Sequence, residues 1–318
     1  MSNDQLLKPG VYRIPEADYH ADPCKTPSAS ASILKILDTK SARHAWHEHP
    51  RLNPAYEPKV ATKFDLGSAG HALVLGDETD FEVIQETGYR TNAAKEARDN
   101  ARANGLIPIL QDQWDATRRM ADAVFPQLEA HELGNFLKGT TSTVTLVWEE
   151  DGVLCRALLD WHYDDEPETA LIWGDFKTTS DGANPRGVSR RLIGTGADIQ
   201  ASHYRSGLAA HYGANRKRRF VFLMAETTPP YAVSVVEFSA GAMILADHKR
   251  ARAMRRWKQC LAENRWPGYS SKVVEIEPTG WAESDENARD VEEGAIKADG
   301  RNLLKEAMDW QAPVDIGL

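Results

Sequence analysis

The chain has 318 residues, 42% of them hydrophobic and 27% charged, which excludes a collagenous, low-complexity or disordered protein and allows one or two domains with a sizeable core. No apolar run is long enough to span a bilayer and the opening MSNDQLLKPG lacks a signal-peptide core, so a cytoplasmic protein with no membrane partner is expected. The net charge of -9 argues against a nucleic-acid binder over its whole surface, but cations concentrate at Arg186, Arg190 and Arg191, at 216–219 and from Lys249 to Lys258, so a basic groove on an acidic body stays open.

In chain order, residues 1–27 read as an irregular arm punctuated by Pro9, Pro15, Pro23 and Pro27. The run SASASILKILDTKSARHAWHEHP (28–50) reads as a helix, with Ser30 or Ser32 as N-cap and Ile33, Leu34 and Leu37 at helical spacing. His44, His47 and His49 follow it, but no further ligand sits at zinc-site spacing, so they read as surface histidines. A second helix, FDLGSAGHALVLG (64–76), carries Gly67, Ala69 and Gly70 on a face that another backbone or a ligand can approach closely, with His71 in its middle. Two polar-faced helices are expected at 91–104 and 111–130, separated by the loop GLIPIL; Arg90, Lys95 and Arg98 there are phosphate contacts or a solvated charged face.

The strand section begins near Thr141. STVTLVWEE alternates, Asp151-Gly152 is a hairpin turn, and VLCRALLDWHY, an acidic turn at 164–169 and ALIWGDFKTT complete an expected antiparallel meander. A loop rich in Gly, Arg and Ser (180–196) leads to the helix ADIQASHYRSGLAAHYG. Two strands, RRFVFLMAET and YAVSVVEF, and a long basic helix at 239–263 follow. The expected organisation is one domain over 1–280, with a helical part at 28–140 and a catalytic core at 141–263, then a peripheral tail at 281–318.

Chemistry concentrates where the meander ends. Asp160 closes one apolar run and Asp175 the next, and hard carboxylate oxygens from adjacent strands suit Mg²⁺, with Mn²⁺ as a substitute. Side chains alternate along a strand, so Asp175 and Lys177 share a face while Phe176 turns into the core, leaving its backbone carbonyl free to reach the metal. Lys177 is placed to hold or activate an attacking water and to offset developing charge, and His71 to complete the metal sphere through a ring nitrogen. Gln200 and Tyr204 are one helical turn apart and stack on one face, where they hold a phosphate or a terminal base, or only hydrogen-bond locally. Arg186, Arg190 and Arg191 fall in the loop before that helix, as phosphate contacts or as exposed arginines.

Taken together, Asp160, GDFKTT at 174–179 and QASHY at 200–204 resemble the nuclease core of the PD-(D/E)xK superfamily, and more narrowly the RecE-type (exonuclease VIII) phage recombination exonucleases. SASASILKIL, FDLGSAGHALVL with His71 at the family's metal-ligand histidine, GVLCRALLD and the run from Asp175 to Tyr204 are similar to successive pieces of that group, over about residues 28–263. The resemblance implies a mixed α/β restriction-endonuclease-like fold, with a central mixed sheet of about five strands, flanking helices and N-terminal helical elaborations. It also implies an Mg²⁺-dependent 5′-to-3′ exonuclease on linear double-stranded DNA, leaving 3′ tails for a single-strand annealing protein. Its subunits would form a ring, a trimer or tetramer, with basic residues lining the hole. The chain departs from the family where Thr143 replaces a usual glutamate and Ala197 an aromatic.

Two alternatives remain: a Cas4-like or helicase-associated nuclease of the same fold, and a non-catalytic DNA-binding scaffold. The first commonly carries a four-cysteine iron–sulfur cluster, which the scattered Cys24, Cys155 and Cys260 do not support.

Overall fold

A computed structural model describes residues 6–58, 62–75, 80–133, 143–163, 171–215, 217–278 and 280–292. The acidic turn expected at 164–169, Arg216 and most of the expected tail, 293–318, lie outside the described residues. The chain divides into two units, 1–268 and 269–318. The second contains a helix, Gly280–Glu292, on which Arg289 pairs with Asp285 one turn away at 2.9 Å.

The N-terminal arm is more ordered than its prolines suggest. Gly10–Tyr12 (β1) pairs antiparallel with Val144–Glu150 (β5), and Ala29–Ser30 (β2) pairs in parallel with Val153–Leu159 (β6). With the β5–β6 hairpin they form a four-stranded sheet in the order β1-β5-β6-β2. Strands of two or three residues are too short for alternation to show in sequence. The hairpin turn is as the Asp-Gly pair dictates: Asp151 and Gly152 have φ of 51° and 78°, the left-handed pair of a type I′ turn.

Ser30 then caps the helix Ala31–Thr39 (α2, after the short α1 at Glu16–His20), its Oγ accepting from the Ile33 N–H at 3.4 Å. The helix expected through residue 50 breaks at Lys40 and resumes as Ala42–His47 (α3). The small-residue helix is Thr62–Leu75 (α4), and the two polar helices are Asn92–Ala103 (α5) and Gln111–Glu129 (α6). GLIPIL is not simply a loop: Ile107–Leu110 (β4) pairs in parallel with Phe81–Ile84 (β3).

The meander is interrupted at Asp160. Beyond it, Trp161–Tyr163 (β7) pairs antiparallel with Leu171–Thr179 (β8), which pairs in parallel with Arg218–Glu226 (β9), which pairs antiparallel with Val233–Glu237 (β10). This second, mixed sheet has the order β10-β9-β8-β7. A parallel pair needs a long crossover, here two helices, Pro185–Gly194 (α7) and Ala197–Tyr212 (α8). The expected loop at 180–196 is therefore mostly helix. Asn184 Oδ1 caps it by accepting from the Arg186 N–H, and Pro185 sits at its first position, a start signal hidden in a Gly- and Arg-rich stretch.

The second sheet has a core on each face, and strand alternation decides which residue enters which. Phe220, Phe222 and Met224 of β9 and Trp173 of β8 pack with Leu34 and Leu37 of α2, Ile199, Tyr204 and Leu208 of α8, and Trp257 of the helix Ala240–Glu263 (α9). Val221, Leu223 and Ala225, with Phe176, pack with Val74 of α4 and Met120, Val124 and Leu128 of α6. Each large apolar side chain so buried contributes about 1.5–3 kcal/mol. Asp175 and Lys177 share the parity of Trp173, so they project on the α2/α8 face while Phe176 anchors the strand from behind.

Candidate active site

The break between β6 and β7 places the first carboxylate. Trp161 pairs with Gly174 and His162 with Trp173, so the next step of this register sets Asp160 opposite Asp175. Asp160 Oδ2 accepts from the Phe176 N–H at 2.8 Å, which ties the aspartate across the strands. Its Oδ1 lies 3.2 Å from His71 Nε2. His71 reaches it because α4 lies close on β8: a Cβ on Gly70 would meet Met120 Cε at 3.3 Å and Thr178 Cγ2 at 3.4 Å. A larger residue at 70 would hold the helix off the strand. The small face expected of this helix is used at Gly70; a Cβ on Gly67 would meet nothing within 4 Å.

Asp175 is 5% exposed and is gripped from two sides. Gln200 Nε2 donates to Oδ1 at 2.6 Å, and Lys177 Nζ lies 2.5 Å from Oδ2. Burial pushes the Asp175 carboxyl above its ordinary range against the pull of the Lys177 ammonium, and the nearby Asp160 charge adds to the rise. Burial alone would depress Lys177, but the Asp175 carboxylate, with Asp160, holds it above the ordinary lysine value. Tyr204 is 6% exposed, packs edge-on to Phe220 at 5.6 Å, and has its phenol pushed well up by burial and then by Tyr19 and Asp175. It is therefore a neutral hydrogen-bond donor at physiological pH.

Asp160, Asp175, Lys177, Gln200, Tyr204, Phe176 and His71 are thus brought to one place by three elements and the break between β6 and β7. The donor set of two carboxylates, an imidazole and a peptide carbonyl is the hard oxygen-rich type that suits Mg²⁺ or Mn²⁺. Asp175 Oδ2 is buried and makes no hydrogen bond of good geometry despite its closeness to Lys177, so this oxygen has capacity left for a cation. Among the described residues no three His, Cys, Asp or Glu side chains already stand at metal-binding spacing; His71 and Lys177 instead pair with the two carboxylates. The residues fit a divalent ion in kind and in charge.

The arginines of α7 are not drawn into this centre. Arg186 and Arg190 are exposed, and Arg191 is tied to the Gly182 carbonyl and, at 3.7 Å, to Asp181. The basic run on α9 is largely spent inside the fold. Lys249 pairs with Asp198 at 2.6 Å, Arg250 forks onto Glu150, Arg252 pairs with Asp38, and Arg256 donates to the Leu37 carbonyl at 3.0 Å. Glu150 is thereby committed to Arg250 and does not stand in for the glutamate missing at Thr143. The three histidines expected at the surface divide: His49 is wholly buried against Asp22, His44 bonds Ser41 at 2.7 Å, and His47 faces Asn53. A separate cleft of about 350 Å³ between β9, β10 and the start of α9 includes none of the central residues, and its Arg205 and Arg219 are paired with Asp247 and Glu237.

One residue near the centre carries no sequence signal. Lys35 of α2 lies in the electrostatic neighbourhood of Lys177, Asp175 and Asp198. Only the packing of α2 on α8 brings it there.

The chain resembles known proteins in sequence and in fold. Residues 30–277 match the PDDEXK-like domain of unknown function DUF3799. A crystal structure of a candidate exonuclease from Eubacterium rectale superposes with a TM-score of 0.53 at 13% identity, covering 84% of this chain and 97% of that one, and so shares the fold. A phage-related exonuclease from Haemophilus somnus 129PT is matched at a TM-score of 0.27 and 12% identity, over 66% of this chain and 98% of that one. No curated protein matches the chain. No described helix is long and apolar enough to cross a membrane. With a match spanning well over half its length and the Asp160–Asp175–Lys177 centre where two sheets meet, the chain belongs to the PDDEXK-like family DUF3799.

Proposed function

We propose that this protein is a metal-dependent exonuclease that degrades linear double-stranded DNA 5′-to-3′ and leaves 3′ single-stranded tails for an annealing partner. The observation that carries the reading is the convergence of Asp160, Asp175, Lys177 and Gln200 in one partly open site, with His71 3.2 Å from Asp160. The exonuclease name given to the Eubacterium rectale protein of this fold accords with it. The polarity, the ring of three or four subunits and the annealing protein rest on the resemblance to RecE-type enzymes, and a cytoplasmic location fits that role.

Mg²⁺ or Mn²⁺ bound here would neutralise phosphate charge and acidify water. Asp160 and Asp175 would hold the ion, with His71 and the Phe176 carbonyl as further ligands. Lys177 holds the attacking water in line with the phosphorus and faces the charge that develops on the phosphate oxygens. Gln200 fixes the Asp175 carboxylate through its 2.6 Å hydrogen bond, so the ligand does not reorient between free and bound states. Tyr204, kept neutral, donates toward the phosphate end of the site. Exposed Arg186 and Arg190 position the duplex through its backbone without reading sequence.

The test compares linear duplex, labelled at either 5′ or 3′ ends, with covalently closed circular DNA in Mg²⁺. Early release of the 5′ label with the circle intact is expected. Equal loss of linear and closed circular DNA would mean an endonuclease, and early release of the 3′ label would reverse the polarity.

A further inference from the structure

Lys35 sits on α2, a helix fixed at three points: Ser30 caps its start, Asp38 is paired with Arg252, and the Leu37 carbonyl accepts from Arg256 at 3.0 Å. From there its stem runs against Gly196, the left-handed residue (φ 71°) that caps α8 one turn before Gln200. A Cβ on Gly196 would lie 2.5 Å from Lys35 Cδ and 2.6 Å from Cγ. The position therefore needs glycine twice, for its backbone and for the lysine that crosses it. Asp198, whose charge also bears on Lys35, is occupied by Lys249 at 2.6 Å, and Lys35 forms no ion pair with any described residue. Burial first, and then the Lys177 charge, hold the Lys35 ammonium below the ordinary lysine value against the pull of Asp175 and Asp198.

We propose that Lys35 is a substrate-binding cation of this centre, crossing the notch at Gly196 to hold a DNA phosphate oxygen beside the one attacked. The inference rests on the nuclease reading above and adds a residue to it. The chemistry favours a phosphate: the site has two carboxylates for a cation, and a lysine that neither carboxylate claims is a compact point charge suited to a backbone oxygen. Lys177 and Lys35 then divide the work, the first at the water and the second at the strand.

The test is Lys35→Met, which keeps the apolar stem in the notch and removes the charge, with Lys35→Gln as a second variant and Lys35→Arg as the rescue. Binding of a fluorescent linear duplex is followed by anisotropy in EDTA across a NaCl series, and kcat and KM are measured in Mg²⁺. At an unchanged melting temperature, Kd and KM should rise roughly tenfold with kcat within about threefold, the size of one charge-assisted hydrogen bond. The slope of log Kd against log salt should become about one unit shallower, and arginine should restore both. Wild-type affinity and salt slope in Lys35→Met and Lys35→Gln, with hydrolysis by the wild type intact, would overturn the inference alone. A wild type that neither binds nor hydrolyses DNA would overturn the nuclease reading and the inference with it.

Discussion

Asp22, Ser28, His49 and Arg156 form a buried cluster of carboxylate, hydroxyl, imidazole and guanidinium, and Asp160, Asp175, His71 and Lys177 form another of similar parts. In the first, both carboxylate oxygens are taken. Asp22 Oδ1 accepts from Ser28 Oγ at 2.7 Å, Oδ2 accepts from the Ser28 N–H at 2.9 Å, and His49 and Arg156 lie at 3.3 and 3.2 Å. The side chains of Asp22 and His49 are fully shielded from solvent. In the second, one carboxylate oxygen lacks a well-formed hydrogen bond, and the exposure of His71 and Lys177, 25% and 31%, leaves a way in. Residue types alone do not make a reactive site; unspent capacity and access do. The saturated cluster ties the N-terminal arm to β6, while the unsaturated one has room for a cation and a phosphate.

Several substitutions would break or sharpen that contrast. The largest effect is expected from Lys177→Ala, which should lower Mg²⁺-dependent hydrolysis by the folded protein about a thousandfold or more. Hydrolysis at the wild-type rate would move the chemistry elsewhere. Asp22→Ala should do the reverse. Removing one partner of a buried ion pair costs about 3–5 kcal/mol, visible in urea unfolding, yet the folded fraction should retain its kcat. Lost activity with unchanged stability would erase the distinction between the two clusters.

The pH dependence should separate them as well. Burial alone would raise the Asp22 carboxyl, but His49, Arg156 and Ser28 outweigh it and hold the group at about 2 instead of 3.8. The resulting stabilisation, about 2 kcal/mol, is complete above the unfolded value and is lost as pH falls from about 4 through about 2. Asp22→Asn should therefore flatten the acid limb of the stability curve. Asp175 is shifted the other way, so its ionisation opposes folding as pH rises through the unfolded value. Asp175→Asn should leave stability at neutral pH unchanged or higher; a loss as large as that of Asp22→Asn would contradict the assigned direction. A smaller and more indirect effect is expected from Gly70→Val, which lifts α4 from Thr178 and Met120 and moves His71 away from Asp160. Weaker Mn²⁺ affinity by calorimetry, about tenfold, with unimpaired metal-free DNA binding is the expected pattern. Unchanged Mn²⁺ affinity would remove His71 from the ligand set.

Much of the centre was legible because its residues sit at fixed local spacings. Asp175 and Lys177 are two apart on a strand, Gln200 and Tyr204 are four apart on a helix, and each pair shares a face for that reason. Gly70 and its small neighbours announced a close approach. What was hidden depends on contacts between distant segments. The break at Asp160 that divides the strands between two sheets follows from the pairing of β7 with β8, and β1 and β2 are too short to show a period. The basic character of α9 suggested an open surface, but Asp38, Asp198 and Glu150, from three other elements, neutralise much of it. His49 looked like one of three exposed histidines because Asp22, 27 positions earlier, gives no local hint of pairing with it. Lys35 was invisible for the same reason: its meaning lies in Gly196, the cap of a helix far along the chain.

That Asp160 and Asp175 act as one centre is tested most directly by the rates of Mg²⁺-dependent hydrolysis of linear duplex for Asp160→Ala, Asp175→Ala and the double variant. Each single change should reduce the rate to near background, and the double should be no slower than either single, because the two carboxylates serve one ion. Substantial activity in either single variant, or losses that multiply in the double, would contradict a shared centre.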